Sequence, residues 1–281
     1  MAQWNLPEEY DTGDGIVRWA SLGEGEPVVL LHGTPFSSFI WRDIAPALAS
    51  RRKVYVWDML GFGQSGMHDG QDVSLAAQGR IFTDLLGRWG LSEPRVIAHD
   101  VGGAVALRAA LIGGATFRHL TLVDAVSIGG WGDGSFFKTI RENAEVFTRL
   151  PEWATEALIE SKIRTASHLG LRPLVLEAYL DHWRGVQGCK AFYRQYTQAS
   201  ETHTDEFQHQ LATMSLPIRI IWGREDQWLP IEYAERLHSV LPHSELAVID
   251  GAGHALQEDA PGMLLSWLTA DMSLQLGTFA S

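Results

Sequence analysis

The sequence predicts an α/β fold: a mostly parallel, twisted sheet flanked by helices and interrupted by one helical insertion. Three observations carry this. Short apolar β-type runs alternate with helix-compatible stretches between residues 16 and 123, and strand–helix–strand alternation means parallel strands joined by right-handed crossovers. The alternation stops between Gly129 and Leu211, where only helical patterning is found. It resumes at Ile218 and runs to about Ala270.

The first β-type run is 16–22, and Gly23 and Gly25 turn it into a second at 27–31. Residues 41–49 have helical spacing, 54–57 form a strand, and 75–89 a helix of good helix formers. Strand 96–98 runs into helix 101–112, followed by strand 120–123. Within the insertion, 136–150, 151–166 and 173–183 read as amphipathic helices punctuated by Gly and Pro. Strand 218–222, helix 231–241, strand 245–249 and helix 261–270 complete the pattern. The expected division is a core of 1–128 and 212–281 with an insertion at 129–211.

A chain of 281 residues suits one large α/β domain with such an insertion. Hydrophobic residues at 46% and charged residues at 20% exclude disorder as the main state. A formal charge of −12 argues against binding nucleic acid through its phosphates. The single cysteine, Cys189, excludes an intramolecular disulfide and a multi-cysteine metal cluster. No uncharged apolar run reaches the length of a membrane span, and residues 1–15 carry acids without a signal pattern. The expectation is a cytoplasmic protein with neither nucleic-acid nor membrane partners. Eleven tryptophans are an unusual amount of flat apolar surface.

The most informative stretch runs from Arg95 to Leu107. An apolar strand passes into a helix through His99-Asp100, flanked by Ala98, Gly102 and Gly103. This is the layout of a nucleophile elbow, in which small neighbours let strand and helix backbones approach. Asp100 stands where serine is usual. A carboxylate is already anionic at neutral pH, so it can attack a saturated carbon bearing a leaving group and form an alkyl ester. A histidine then acts as general base on water. As a lone aspartate before a helix, Asp100 could instead be a cap; the small flanking residues and the partners below favour the nucleophile.

Leu30-Leu31-His32-Gly33-Thr34-Pro35 follows a strand. The amides of Thr34 and Val101 would form an oxyanion hole, and His32 reads as a structural hydrogen-bonder. Asp226, just after strand 218–222, is the candidate to orient the histidine; adjacent Glu225 should point away, and Asp124 is the alternative. His254 follows the last strand on Gly251-Ala252-Gly253, giving the order Asp100, Asp226, His254. Gly61-Phe62-Gly63-Gln64-Ser65-Gly66 matches a dinucleotide fingerprint by letter, but it is not at the first strand and no helix opens at its third glycine. No histidine pair has zincin spacing, so neither cofactor nor metal is expected.

Together these motifs resemble the α/β-hydrolase superfamily: His32-Gly33-Thr34-Pro35, Asp58 with Gly61-Phe62-Gly63-Gln64-Ser65, the elbow around Asp100, Asp226 and His254. The likeness covers nearly the whole chain. It implies the α/β-hydrolase fold, with the insertion as a helical cap after the sixth strand. The aspartate elbow resembles the branch of epoxide hydrolases and haloalkane or haloacid dehalogenases. A dehalogenase of that kind would hold halide with an Asn after His-Gly and a Trp after the nucleophile, where this chain has Thr34 and Val101. Trp131 is a candidate substitute. An epoxide hydrolase uses cap tyrosines on the epoxide oxygen, and Ala191-Phe192-Tyr193-Arg194 resembles the segment that carries one. Tyr193 also reads as a plain core aromatic, with Tyr179 and Tyr196 as further candidates. Phe136-Phe137 lies where the second tyrosine would be sought. His99, Trp131 and Phe136 complete the set expected near substrate.

The leading expectation is a cofactor-independent epoxide hydrolase acting through an Asp100 ester on a small apolar molecule, with water as co-substrate, as a monomer or homodimer. Alternatives are a dehalogenase with atypical halide donors, an ester or lactone hydrolase, and a non-catalytic ligand-binding protein on the same fold.

Overall fold

The computed structural model describes residues 4–133 and 135–270. Eight strands form one sheet: β1 (Glu8–Asp11), β2 (Ile16–Leu22), β3 (Pro27–Leu31), β4 (Lys53–Trp57), β5 (Arg95–His99), β6 (His119–Val123), β7 (Ile218–Gly223) and β8 (Ser244–Ile249). Their spatial order is β1-β2-β4-β3-β5-β6-β7-β8. β2 is antiparallel to both β1 and β4, and the pairs from β4 through β8 are parallel. β6 is buried along its whole length, and β5 from Val96 onward. Central parallel strands covered on both faces need such continuous apolar runs. β1, with sequence Glu-Glu-Tyr-Asp, is a polar edge strand with no alternating apolar signal, so the sequence reading missed it.

The flanking helices are α1 (Ala45–Ala49), α2 (Leu75–Trp89), α3 (Val101–Leu111), α10 (Glu232–Val240), α11 (Leu256–Asp259) and α12 (Pro261–Thr269). Between β6 and β7 the chain forms α4 (Ser135–Glu142), α5 (Ala144–Phe147), α6 (Glu152–Arg164), α7 (Pro173–Asp181), α8 (Gly185–Gln198) and α9 (Thr202–Gln208). The segment 41–49, expected as one helix, is a 3-10 turn at Ser38–Trp41 followed by α1. Pro46 sits in the first turn of α1, where its missing N–H costs nothing. The expected helix 136–150 divides at Asn143, whose φ of −128° leaves the helical region.

The chain passes from β3 to β4 on one side and then to β5 on the other, so the strand order reverses beside β3. Such a switch point opens a crevice at the carboxyl ends of the strands. The helices between β6 and β7 are tied to the sheet side there. The Trp183 indole N–H donates to the Pro35 carbonyl at 2.8 Å. Arg42 grips Glu258 with two hydrogen bonds, 2.6 and 2.7 Å, and the Tyr179 hydroxyl donates to the same carboxylate. That pair is nearly buried, so losing one partner would cost about 3–5 kcal/mol. The exposed Asp69 pairs with Lys190 and Arg194 contribute about 0–1 kcal/mol each.

Candidate active site

The crevice at the switch point brings together the loops after β3, β5, β7 and β8. Asp100 joins β5 to α3 with φ 50° and ψ −127°, a strained conformation for a residue with a side chain. The backbone is fixed on three sides. The Asp100 N–H donates to Val123 O at 3.2 Å, and its carbonyl accepts from Gly103 at 2.9 Å and Val126 at 3.0 Å. The small neighbours are required by space. A Cβ on Gly102 would lie 2.5 Å from the His32 carbonyl oxygen, and one on Gly103 2.7 Å from Ala125 Cβ. A Cβ on Gly33 would lie 2.3 Å from Asp100 Cβ.

The side chain of Asp100 does not cap α3. Its two oxygens face different partners. Oδ1 accepts the Thr34 N–H at 2.7 Å, while Oδ2 lies 3.4 Å from His254 Nε2. Burial opposes the carboxylate's charge, but His254, with His99 and the Val101 amide, overcomes this and holds its pKa below the usual range. His254 Nδ1 bonds Asp226 Oδ2 at 2.8 Å, and Asp226 Oδ1 accepts the amides of Trp228 at 2.7 Å and Leu229 at 3.0 Å. Burial disfavours the imidazolium; the carboxylates of Asp226 and Asp100 outweigh that and raise its pKa to about 10. The chain Asp226–His254–Asp100 is therefore geometrically continuous and carries a protonated histidine at neutral pH.

Glu225 turns away, accepting the Ala252 amide at 3.0 Å and bracing the loop that carries His254. Asp124, the alternative partner, does not bond the imidazole. Its Oδ1 accepts the Gly223 amide at 2.8 Å. Burial, reinforced by Asp226, pushes its pKa well above the ordinary carboxylate value. His32 is a structural bonder: Nε2 accepts the Met59 amide at 2.9 Å and Nδ1 contacts the Gly33 carbonyl at 3.0 Å. The glycine-rich stretch after β4 wraps Asp58, which accepts the amides of Ser38 and Gln64, both at 2.7 Å. The next helix begins only at Leu75, so no helix N-terminus faces that stretch as a dinucleotide would need. Among the described residues, no group of three or more His, Cys, Asp or Glu could hold a metal.

Above Asp100 lies a cavity of about 180 Å³, walled on the insertion side by Trp131, Phe136, Phe137, Lys162 and Tyr196. Trp131 and Phe136, both expected near substrate, line this cavity. Trp131, however, donates its indole N–H to Thr204 Oγ1 at 3.0 Å, so that donor is already engaged. The other cavity tryptophan, Trp228, donates its own to Thr165 Oγ1 at 2.9 Å. The Thr34 hydroxyl donates to Gln195 Oε1, linking the loop after β3 to α8.

Two residues expected near substrate lie elsewhere. Tyr193 is buried between helices of the insertion, its hydroxyl 3.2 Å from Thr155 Oγ1 and its ring against Phe147 and Phe192. Tyr196, three residues along α8 and so about 60° around its axis, faces the cavity instead. Among the described residues its hydroxyl has no hydrogen-bond partner. Burial, and then the charge of Asp100, raise its pKa. His99 lies beneath the site: Nε2 bonds the His254 carbonyl at 2.9 Å and the ring packs on Phe36 and Trp41. Burial and the neighbouring His254 lower its pKa to about 3, so it is a neutral support. Lys162 and Trp228, which the sequence reading did not single out, both line the cavity. No motif marks Lys162; only the fold turns it inward.

A family model described as alpha/beta hydrolase fold matches residues 26–261. An alpha/beta hydrolase fold protein from Burkholderia ambifaria superposes with a TM-score of 0.91 at 39% identity, over 95% of this chain and 98% of that one. A Pseudomonas aeruginosa protein proposed to be an epoxide hydrolase gives 0.79 at 26% identity, over 95% and 96% of the two chains. Haloalkane dehalogenase 2 of Mycobacterium tuberculosis is 24% identical over 90% of each chain. With the family model covering most of its length, and the sheet order and the β5–α3 elbow described above, the chain belongs to the α/β-hydrolase fold family, and its family and neighbours make it a hydrolase.

Proposed function

We propose that this hydrolase opens small epoxides through a covalent ester on Asp100. The observation that carries the reading is the division of labour between the carboxylate oxygens: Oδ1 on the Thr34 amide, Oδ2 toward His254 and the cavity. In an aspartyl-ester mechanism, the oxyanion of the hydrolytic step forms on the aspartate's own carbonyl oxygen. A donor preorganised on Oδ1 meets that need. In an ester hydrolase the same amide would have to bind the substrate's oxygen, and here Asp100 occupies it.

Oδ2 attacks an epoxide carbon, the C–O bond breaks, and the opened oxygen takes one proton from the site. The Tyr196 hydroxyl hydrogen-bonds that oxygen. Esterification removes the negative charge of Asp100, which is one of the two carboxylates holding the imidazolium. His254 then gives up its proton more readily and becomes a base for water. Water attacks Cγ, and collapse of the tetrahedral species releases the diol and restores the Asp100 carboxylate and the imidazolium. The balance is one epoxide and one water to one diol. The reading prefers epoxide to halide because both cavity indole N–H groups are already committed to threonine hydroxyls. The cavity of about 180 Å³ limits the substrate to a small molecule.

The test is single turnover in ¹⁸O-water with a panel of small epoxides and alkyl halides. The expected first product is an unlabelled diol, with label appearing in Asp100. His254→Gln should accumulate a substrate-mass adduct on Asp100. Label entering the diol in the first turnover would overturn the ester mechanism, and halide release without epoxide opening would replace the substrate class.

A further inference from the structure

We propose that Lys162 is the acid that protonates the opened epoxide oxygen, with Tyr196 orienting that oxygen by a hydrogen bond. The inference rests on the epoxide reading above and assigns the proton which that reading leaves without a source.

Lys162 projects from α6 into the cavity that holds Asp100. Its Nζ lies 3.4 Å from the centroid of the Trp228 ring, whose indole also lies beside the His254 imidazole, 4.6 Å between centroids. A second ring, Phe136, lies 5.6 Å from Nζ. Among the described residues Nζ makes no hydrogen bond or ion pair. A lysine held against aromatic rings and left without a carboxylate partner is unusual in a chain with 34 acids, of which neighbours such as Glu160 already pair with Arg164. The charges that act on it are Asp100 at the β5–α3 elbow and Asp226 after β7; Tyr196 on α8 shares its cavity, and His254 lies on the other side of the Trp228 contact. Burial lowers its pKa to about 8 against the pull of the Asp100 and Asp226 carboxylates. Tyr196 shifts the opposite way, away from neutrality, so the lysine is the better-matched acid at neutral pH.

The step balances. The Asp100 Oδ2–carbon bond forms, and the epoxide C–O bond breaks with its electron pair on oxygen. That oxygen takes a proton from Nζ, leaving a neutral amine. Alkylation has meanwhile removed the Asp100 charge that favoured both cations. His254 loses more than Lys162, since Asp100 both hydrogen-bonds and attracts the imidazolium but only attracts Nζ; the imidazolium therefore gives up its proton, the amine regains one, and His254 is left as the free base needed for hydrolysis. One transfer resets the acid and arms the base.

The experiment compares wild type, Lys162→Met and Lys162→Arg in single-turnover alkylation of Asp100, followed by mass spectrometry. The substrates are a small epoxide and an alkyl bromide of the same carbon skeleton. Bromide leaves without a proton. The expected result is that Lys162→Met lowers the ratio of epoxide to bromide alkylation by about 10²-fold. Lys162→Arg does not restore it, because guanidinium keeps the charge but is too weak an acid. The wild-type epoxide rate should fall as pH rises through about 8, and that limb should vanish in Lys162→Met. Full activity in Lys162→Arg, or a strong preference for carboxylate-bearing substrates lost in Lys162→Met, would make the site an anion anchor and overturn the acid role. An unchanged ratio in Lys162→Met would also overturn it while leaving the Asp100 ester intact. Absence of any Asp100 adduct in the wild type would overturn both readings.

Discussion

The sheet side of the cavity places its groups with backbone, whereas the helical insertion places its groups with side-chain packing. Asp100, Thr34, Asp226 and His254 sit on short loops at the ends of parallel strands. Their positions follow from strand register, a positive φ and glycines that admit close contact. Tyr196, Lys162 and Phe136 belong to the insertion and reach the cavity only because particular faces of α8, α6 and α4 are turned inward, and Trp131 joins them from the 3-10 turn before α4. The first kind of site is rigid and motif-bearing. The second is tunable, since a shift of one residue along a helix exchanges one side chain for another. On the proposed reading, the difference separates attack chemistry, fixed by the fold, from leaving-group and substrate selection, fixed by packing.

The sharpest break in this comparison would come from Asp100→Ala. On the proposed reading it should lower turnover roughly 10⁴-fold or more and abolish the adduct, read by steady-state rates and intact mass. Loss below tenfold would move the chemistry away from the sheet side. The next effect tests which carboxylate serves His254. Asp226→Asn should lower kcat roughly 10²- to 10⁴-fold, whereas Asp124→Asn should change kcat less than about tenfold, since His254 bonds Asp226 and Asp124 holds only the Gly223 amide. Equal losses would make the two acids one functional unit.

On the insertion side, Tyr196→Phe should slow epoxide opening by about 10²-fold. Tyr193→Phe, which loses only the contact with Thr155, should stay within a few-fold of wild type and lose about 1 kcal/mol of stability. The reverse ranking would mean that α8 turns another face to substrate in solution.

The smallest effect is on stability. The folded pKa of His254 is raised from 6.5 to about 10. Its contribution is fully present below pH 6.5 and is lost as pH rises through about 10. Thermal melts between pH 6 and pH 10.5 should therefore show Tm falling, with a shallower slope in Asp226→Asn. A flat wild-type profile would remove the protonated histidine from the resting site.

The same division explains what could be read from sequence. The elbow, the Gly33-Thr34 turn and His254 after its glycines are local patterns whose residue types are dictated by backbone constraints visible one residue away. Seven strands were legible because each carries β-type apolar residues, continuous in the buried central strands and interrupted in β2 and β8; β1 was not, because an edge strand of Glu-Glu-Tyr-Asp carries no such run. On the insertion, Tyr193 drew attention through its resemblance to a known segment. Which of Tyr193 and Tyr196 meets the cavity depends on how α8 packs on its neighbours. Lys162 was invisible for a related reason: a lysine on an amphipathic helix normally reads as solvated surface, and only the approach of α6 to the loop after β7 makes it a cavity residue.

Thr34 belongs to both halves. Its amide holds Oδ1 of Asp100, and its hydroxyl bonds Gln195 on α8, next to Tyr196. The residue that holds the Asp100 carboxylate is thus also the one through which the loop after β3 meets the helix that carries Tyr196.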